Sequence, residues 1–107
     1  MDTARLKEVL IGAQLTLIDE EAVEYFRFGR DNHVAVTLGT RSGAVCAPIL
    51  IYRVTENGTV ELGGGSPPSY IWEDVELHDG VLSVKCGAFL KRFKFLPGVE
   101  RPAPYLP

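Results

Sequence analysis

The chain has 107 residues, the size of one ordinary domain, so two independent cores are not expected. Apolar residues make up 46% and charged residues 23%, which excludes a disordered or charge-dominated chain. A net charge of −3 argues against nucleic acid as a partner.

The opening MDTARLKEVLIG carries charge through its first eight residues and has no small-residue cleavage site, so a cytoplasmic protein is expected. Leu6, Val9 and Leu10 recur at helical spacing. They predict a short helix over about 3–11, capped by Asp2 or Thr3 and ended by Gly12. Such a helix must dock on something, most simply as a lid on a sheet.

After Gly12 the apolar period changes to two, and eight strands are predicted over 13–18, 23–28, 33–38, 44–54, 59–62, 69–78, 81–86 and 88–96. Turn signals separate them, among them Asn57-Gly58 and Asp79-Gly80, both strong hairpin dipeptides because each residue tolerates positive φ. Strands starting roughly every ten residues leave no room for intervening helices. The predicted fold is therefore mainly β. It is a single antiparallel eight-stranded meander over 1–96, closing into a small barrel beneath the N-terminal helix.

Alternation assigns inward faces. Phe26 and Phe28 lead strand two, and Val34, Val36 and Leu38 form one face of strand three. Leu82, Val84 and Cys86 repeat the pattern, and Phe89, Phe93 and Phe95 share a face of the last strand with Lys91 among them. Strand four is apolar on both faces, so a second cover is expected there, from the helix or a partner. The longest uncharged apolar stretch, Ala44 to Tyr52, is nine residues and includes Pro48, against ~20 needed for a membrane helix. No membrane association is expected. The segment 97–107, ending RPAPYLP, is proline-rich and predicts an extended strap.

Motifs for chemistry are sparse. Cys46 and Cys86 sit on separate apolar segments and read as buried free thiols. No CxxC or HxxxH spacing is present, so neither a metal nor any other cofactor is expected. Gly63-Gly64-Gly65-Ser66 lacks the Gly-Lys-Ser/Thr of a phosphate loop, and Pro67-Pro68 would block a helix there. His33 and His78 stand at strand ends, and no GxSxG elbow exists. Glu24 is the one inward acid beside Phe26 and Phe28, and it reads as a residue of the barrel rim. No catalytic residue is assigned.

Charge distribution is more informative. Between Arg53 and Lys85 there is no Lys or Arg, while Glu56, Glu61, Glu73, Asp74, Glu76 and Asp79 give −6. From Lys85 to Arg101 the balance is +4. Under strict alternation Tyr70, Trp72, Asp74, Glu76 and His78 share one face of the strand over 69–78. Aromatic residues interleaved with carboxylates on a solvent face have the composition of an interface. Two other readings compete: a bulge near Glu73 turns Trp72 inward, or the acidic and basic blocks pair within the chain.

The run Leu10-Ile11-Gly12, Tyr25-Phe26-Arg27-Phe28, Ile71-Trp72 and Arg92-Phe93-Lys94-Phe95 resembles the pattern of small bacterial calycin, or lipocalin-like, domains over residues 10–96. Gly12 is followed by Ala13-Gln14, where lipocalins usually carry Gly-x-Trp. Small cytoplasmic chains of this kind also resemble the immunity proteins of bacterial toxin systems. The second resemblance implies a non-enzymatic inhibitor that neutralises a basic protein partner. Its surface would be Tyr70, Trp72, Glu73, Asp74, Glu76 and Asp79. The first implies instead a carrier of a small apolar ligand, lined by Phe26, Val36, Leu50, Phe93 and Phe95.

Overall fold

The structure, a computed structural model, describes residues 1–18, 22–29, 32–40, 45–46, 49–63 and 71–97. A single helix, α1 (Thr3–Leu10), precedes the strands. These are β1 (Gln14–Leu17), β2 (Ala22–Phe28), β3 (His33–Thr40), β4 (Val45–Cys46), β5 (Ile49–Val54), β6 (Val60–Leu62), β7 (Ile71–His78), β8 (Val81–Cys86) and β9 (Phe89–Leu96). Strands adjacent in sequence pair antiparallel, except that β4 and β5 both pair with β3, and β1 also pairs with β9, which closes an eight-stranded barrel. β4 and β5 together occupy one position beside β3: Leu38 and Gly39 pair with β4, and His33 to Ala35 pair with β5. The predicted fourth strand is thus present in two pieces. Pro48 stands between them in sequence, where it supplies no N–H to a ladder.

The helix begins as expected. The Asp2 carboxylate accepts from the Arg5 amide at 2.8 Å, satisfying one otherwise orphaned donor. Gly12, at φ 76, ends it, and its amide turns to the Phe28 carbonyl. Leu6 and Leu10 are fully buried in the common core, and the Thr3 hydroxyl donates to the Thr55 carbonyl. The helix therefore closes one barrel end. It does not cover the outer face of the fourth strand, where Ile51 stays 60% exposed, so the helix is not the second cover expected there.

The interior is aromatic. Phe26, Phe28, Tyr52, Trp72 and Phe93 are buried, and their rings meet edge-on or tilted. Phe26 lies 5.1 Å from Trp72 and 5.6 Å from Phe93 between ring centroids. Strand tilt gives an eight-stranded barrel an interior that side chains can fill, and these rings occupy it. Val34, Leu82, Val84, Cys86 and Phe95 are buried on the expected faces. Phe89 is not. It stands 70% exposed where β9 leaves the β8–β9 turn, beyond the core that buries Phe93 and Phe95.

Two turns differ in kind. At Asp79-Gly80 both residues take positive φ (49° and 75°), as a two-residue mirror-image turn requires. At Asn57-Gly58 positive φ falls on Gly58 and not on Asn57. The loop is longer, closing through Thr55 N–H to the Thr59 carbonyl and Gly58 N–H to the Thr55 carbonyl. The Asn57-Gly58 turn is thus a wider loop with a single left-handed glycine.

A candidate acidic surface on a bulged strand

On β7 the register against β8 shifts. Glu73 pairs with Lys85 and Glu76 with Ser83, so Asp74 and Val75 together oppose Val84. Two residues against one is a β-bulge, and Asp74 takes φ 48 within it. Aspartate tolerates this left-handed conformation better than most residues. The extra residue resets the alternation: Trp72 and Val75 both point into the core, while Glu73, Asp74, Glu76 and His78 are exposed. A strict two-residue period would have put Trp72 and Asp74 on one face.

This corrects the surface assigned from sequence. Trp72, 1% exposed and packed against Phe26, Phe28 and Phe93, is a core residue and not a surface anchor. The spacing Trp72, Val75, Leu77 held the signal, because an apolar step of three followed by one of two fits a strand only if one residue is extruded. Tyr70 lies outside the described residues. Of the predicted surface, the structure brings together Glu73, Asp74 and Glu76, with Asp79 at the following turn beside His78 at 3.1 Å.

Pairing of the acidic and basic blocks within the chain does not consume these charges. Among the described residues, Glu73, Asp74 and Glu76 enter no ion pair, although Lys85 stands opposite Glu73 in the ladder. The ion pairs formed lie elsewhere, as in Arg53 with Glu61 at 2.7 Å. A hollow of about 550 Å³ opens beside the bulge, bordered by Glu73, Asp74, Ile71, Asn57, Thr59 and Met1. The Met1 ammonium donates to the Val75 carbonyl at 3.2 Å.

Sequence reasoning missed two features. Phe89 and Leu90 are each about 70% exposed at the β8–β9 turn, and Leu90 follows Glu73 and Lys85 in one cross-strand row. Inside the barrel, the Lys91 ammonium donates to both oxygens of Glu24, at 3.0 and 2.8 Å, with both side chains a quarter exposed. Lys91 falling among phenylalanines was the signal: an inward lysine needs an inward acid. Cys86 lies close enough to feel this pair. Burial pushes its thiol above the ordinary 9.0, the Lys91 charge opposes that shift, and Glu24 adds to it. Cys86 is thus held as a thiol, suited to packing and poor as a nucleophile.

Of the residues proposed to line a ligand cavity, Phe26, Phe93 and Phe95 are buried in the core cluster, with Leu50 packed against it. The Val36 backbone pairs with Phe26, and its side chain lies outside the described residues, as do the Cys46 side chain, the glycine-rich 64–70 segment and the proline-rich 98–107 segment. Among the described residues, no group of three or more His, Cys, Asp or Glu is placed to hold a metal ion. No helix among them is long and apolar enough to cross a membrane. The chain matches no known protein family, no curated protein and no solved structure.

Proposed function

We propose that this chain is a non-enzymatic cytoplasmic binding protein that neutralises a basic protein partner through the outer face of β7, much as an immunity protein restrains its toxin. The observation that carries this reading is the bulge. It sets Glu73, Asp74 and Glu76 outward, without ion-pair partners among the described residues, and places Glu73 and Asp74 at the edge of a hollow of about 550 Å³. Carboxylates so placed steer a basic protein and speed its encounter. The hollow beside Glu73 and Asp74 has room for a lysine or arginine side chain, and an inserted charge there gains two acceptors. Lasting affinity needs apolar anchors. With Trp72 in the core, that role passes to Leu90 and Phe89 on the neighbouring hairpin.

The test uses Glu73→Gln with Asp74→Asn, immobilised beside wild type and exposed to extract of the source cell. A basic protein held by wild type is then purified and its kinetics measured at several salt concentrations. The neutralised variant should associate about tenfold more slowly, with a flatter salt dependence. Leu90→Ser should mainly hasten dissociation. Equal rates for wild type and the neutralised variant would remove the acidic face from the interface. Carriage of an apolar ligand gains no support from a barrel whose phenylalanine and tryptophan rings are already in contact.

A further inference from the structure

The β7–β8–β9 face carries both signs of charge in ordered columns. β7 presents Glu73, Asp74 and Glu76, and β9 presents Arg92 and Lys94, all exposed. β8 runs between them, with the half-buried Ser83 and Val81 facing out. The ladder fixes the heights: Glu76, Ser83 and Arg92 form one row, and His78, Val81 and Lys94 another. Strands two positions apart are separated by about 10 Å. The two columns are therefore parallel, opposite in sign and about 10 Å apart.

We propose that this face is a self-association surface whose occupant is a second copy of this chain. A two-fold axis running along β8 exchanges the columns without changing their height, as a closed symmetric pair requires. Glu76 of one copy then meets Arg92 of the other, and the same contact forms a second time across the axis. In the next row Lys94 meets His78, whose neighbour Asp79 stands 3.1 Å from it at the turn. Lys85 falls on the axis and meets its own symmetry mate there, the two ammonium groups lying between the two Glu73 carboxylates. Leu90 and Leu96, exposed at 71% and 42% at the two ends of the same outer face of β9, supply apolar contact that charge pairing alone would lack. The face is convex and its contacts polar, so the pair is a weak and salt-sensitive one. It shares the acidic column with the basic partner proposed above and stands without it. Where both exist they compete.

Analytical ultracentrifugation of the full chain over a concentration series, at low and high salt, tests this. Wild type should dimerise at low salt and dissociate as salt rises. E76K or R92E alone should raise the dimer dissociation constant by about tenfold or more. The double exchange E76K/R92E, which restores both contacts with reversed sign, should return it towards the wild-type value. Circular dichroism checks that each variant remains folded. If either reversal does not fold, the D79K/K94E exchange at the other end of the face takes its place. A wild type that stays monomeric to millimolar concentration, a dimer indifferent to single reversals, or a double exchange no better than its parents overturns the proposal.

Discussion

Replacing Trp72 with alanine separates a core residue from a surface anchor. The indole is 1% exposed and meets the rings of Phe26 at 5.1 Å, Phe93 at 5.3 Å and Phe28 at 6.0 Å. Truncating a buried aromatic side chain to alanine costs about 3–5 kcal/mol in lost burial and residual cavity. Edge-on ring contacts contribute about 0.5–1.5 kcal/mol each beyond area, and two such contacts, to Phe26 and Phe28, are lost here with one tilted contact to Phe93. The rings come from β2, β7 and β9, already fixed by their ladders, so the barrel has little freedom to collapse around the void. A loss near the upper end of that range follows. It is a large part of the roughly 5–15 kcal/mol that stabilises an ordinary domain. Urea unfolding followed by circular dichroism should give the loss directly, and a thermal scan should show a fall of roughly 15–30 °C. Trp72→Phe, which keeps an apolar ring, should lose about half as much. If Trp72→Ala lies within about 1 kcal/mol of wild type, the indole is not in the core and the bulge is misplaced.

Three further outcomes follow from the same packing. Gly58→Ala should destabilise more than Gly80→Ala, as measured by urea midpoints. Both add a Cβ at positive φ, costing about 1–2 kcal/mol, but only at Gly58 does that Cβ fall 2.8 Å from a backbone oxygen, that of Met1. Lys91→Met should cost about 1–2 kcal/mol by leaving Glu24 half-buried without its partner. Adding Glu24→Gln should recover part of that loss, which a double-mutant cycle reads as coupling. Stability should also fall in alkali. Burial raises the Tyr52 hydroxyl above 10.0 and the Cys86 thiol above 9.0, so both folded-state values exceed the unfolded ones. Their contribution is complete below the unfolded values and is lost as pH rises through the folded ones. Unfolding free energies measured from pH ~8 to ~11 should therefore decline, and less steeply in Tyr52→Phe.

The barrel was legible in the sequence because its strands are short, alternate cleanly and are punctuated by glycine. Val34, Leu82, Val84 and Phe93 each fall where a period of two places them. The helix was legible for the same local reason, since Asp2 and Gly12 mark its ends. Strict alternation does not mark its own interruption, but the spacing of Trp72, Val75 and Leu77 does, and the bulge near Glu73 weighed against the surface reading is the one the structure contains. Phe89 shares the parity of Phe93 and Phe95, yet it lies past the end of the core, and parity carries no information about where a barrel ends. Ile51 shows the converse. An apolar residue on an outer face need not be covered, because most folded surfaces retain apolar area.

The β7 bulge couples the core to the surface. A single extruded residue lets the chain's largest side chain enter the centre of the barrel while Glu73, Asp74 and Glu76 all face outward. The core and the acidic column are therefore not independent features of β7. A regular strand would bury Asp74 and Glu76 with Trp72 or expose Trp72 with them, since all three share one parity. Burying unpaired carboxylates is far costlier than holding one aspartate in the left-handed region, which costs about 1–3 kcal/mol. The bulge is thus the less costly way for this sequence to fill its barrel, and an exposed acidic edge is the necessary consequence. Either partner proposed above, a basic protein or the basic column of a second copy, would meet a surface that the core itself has fixed in place.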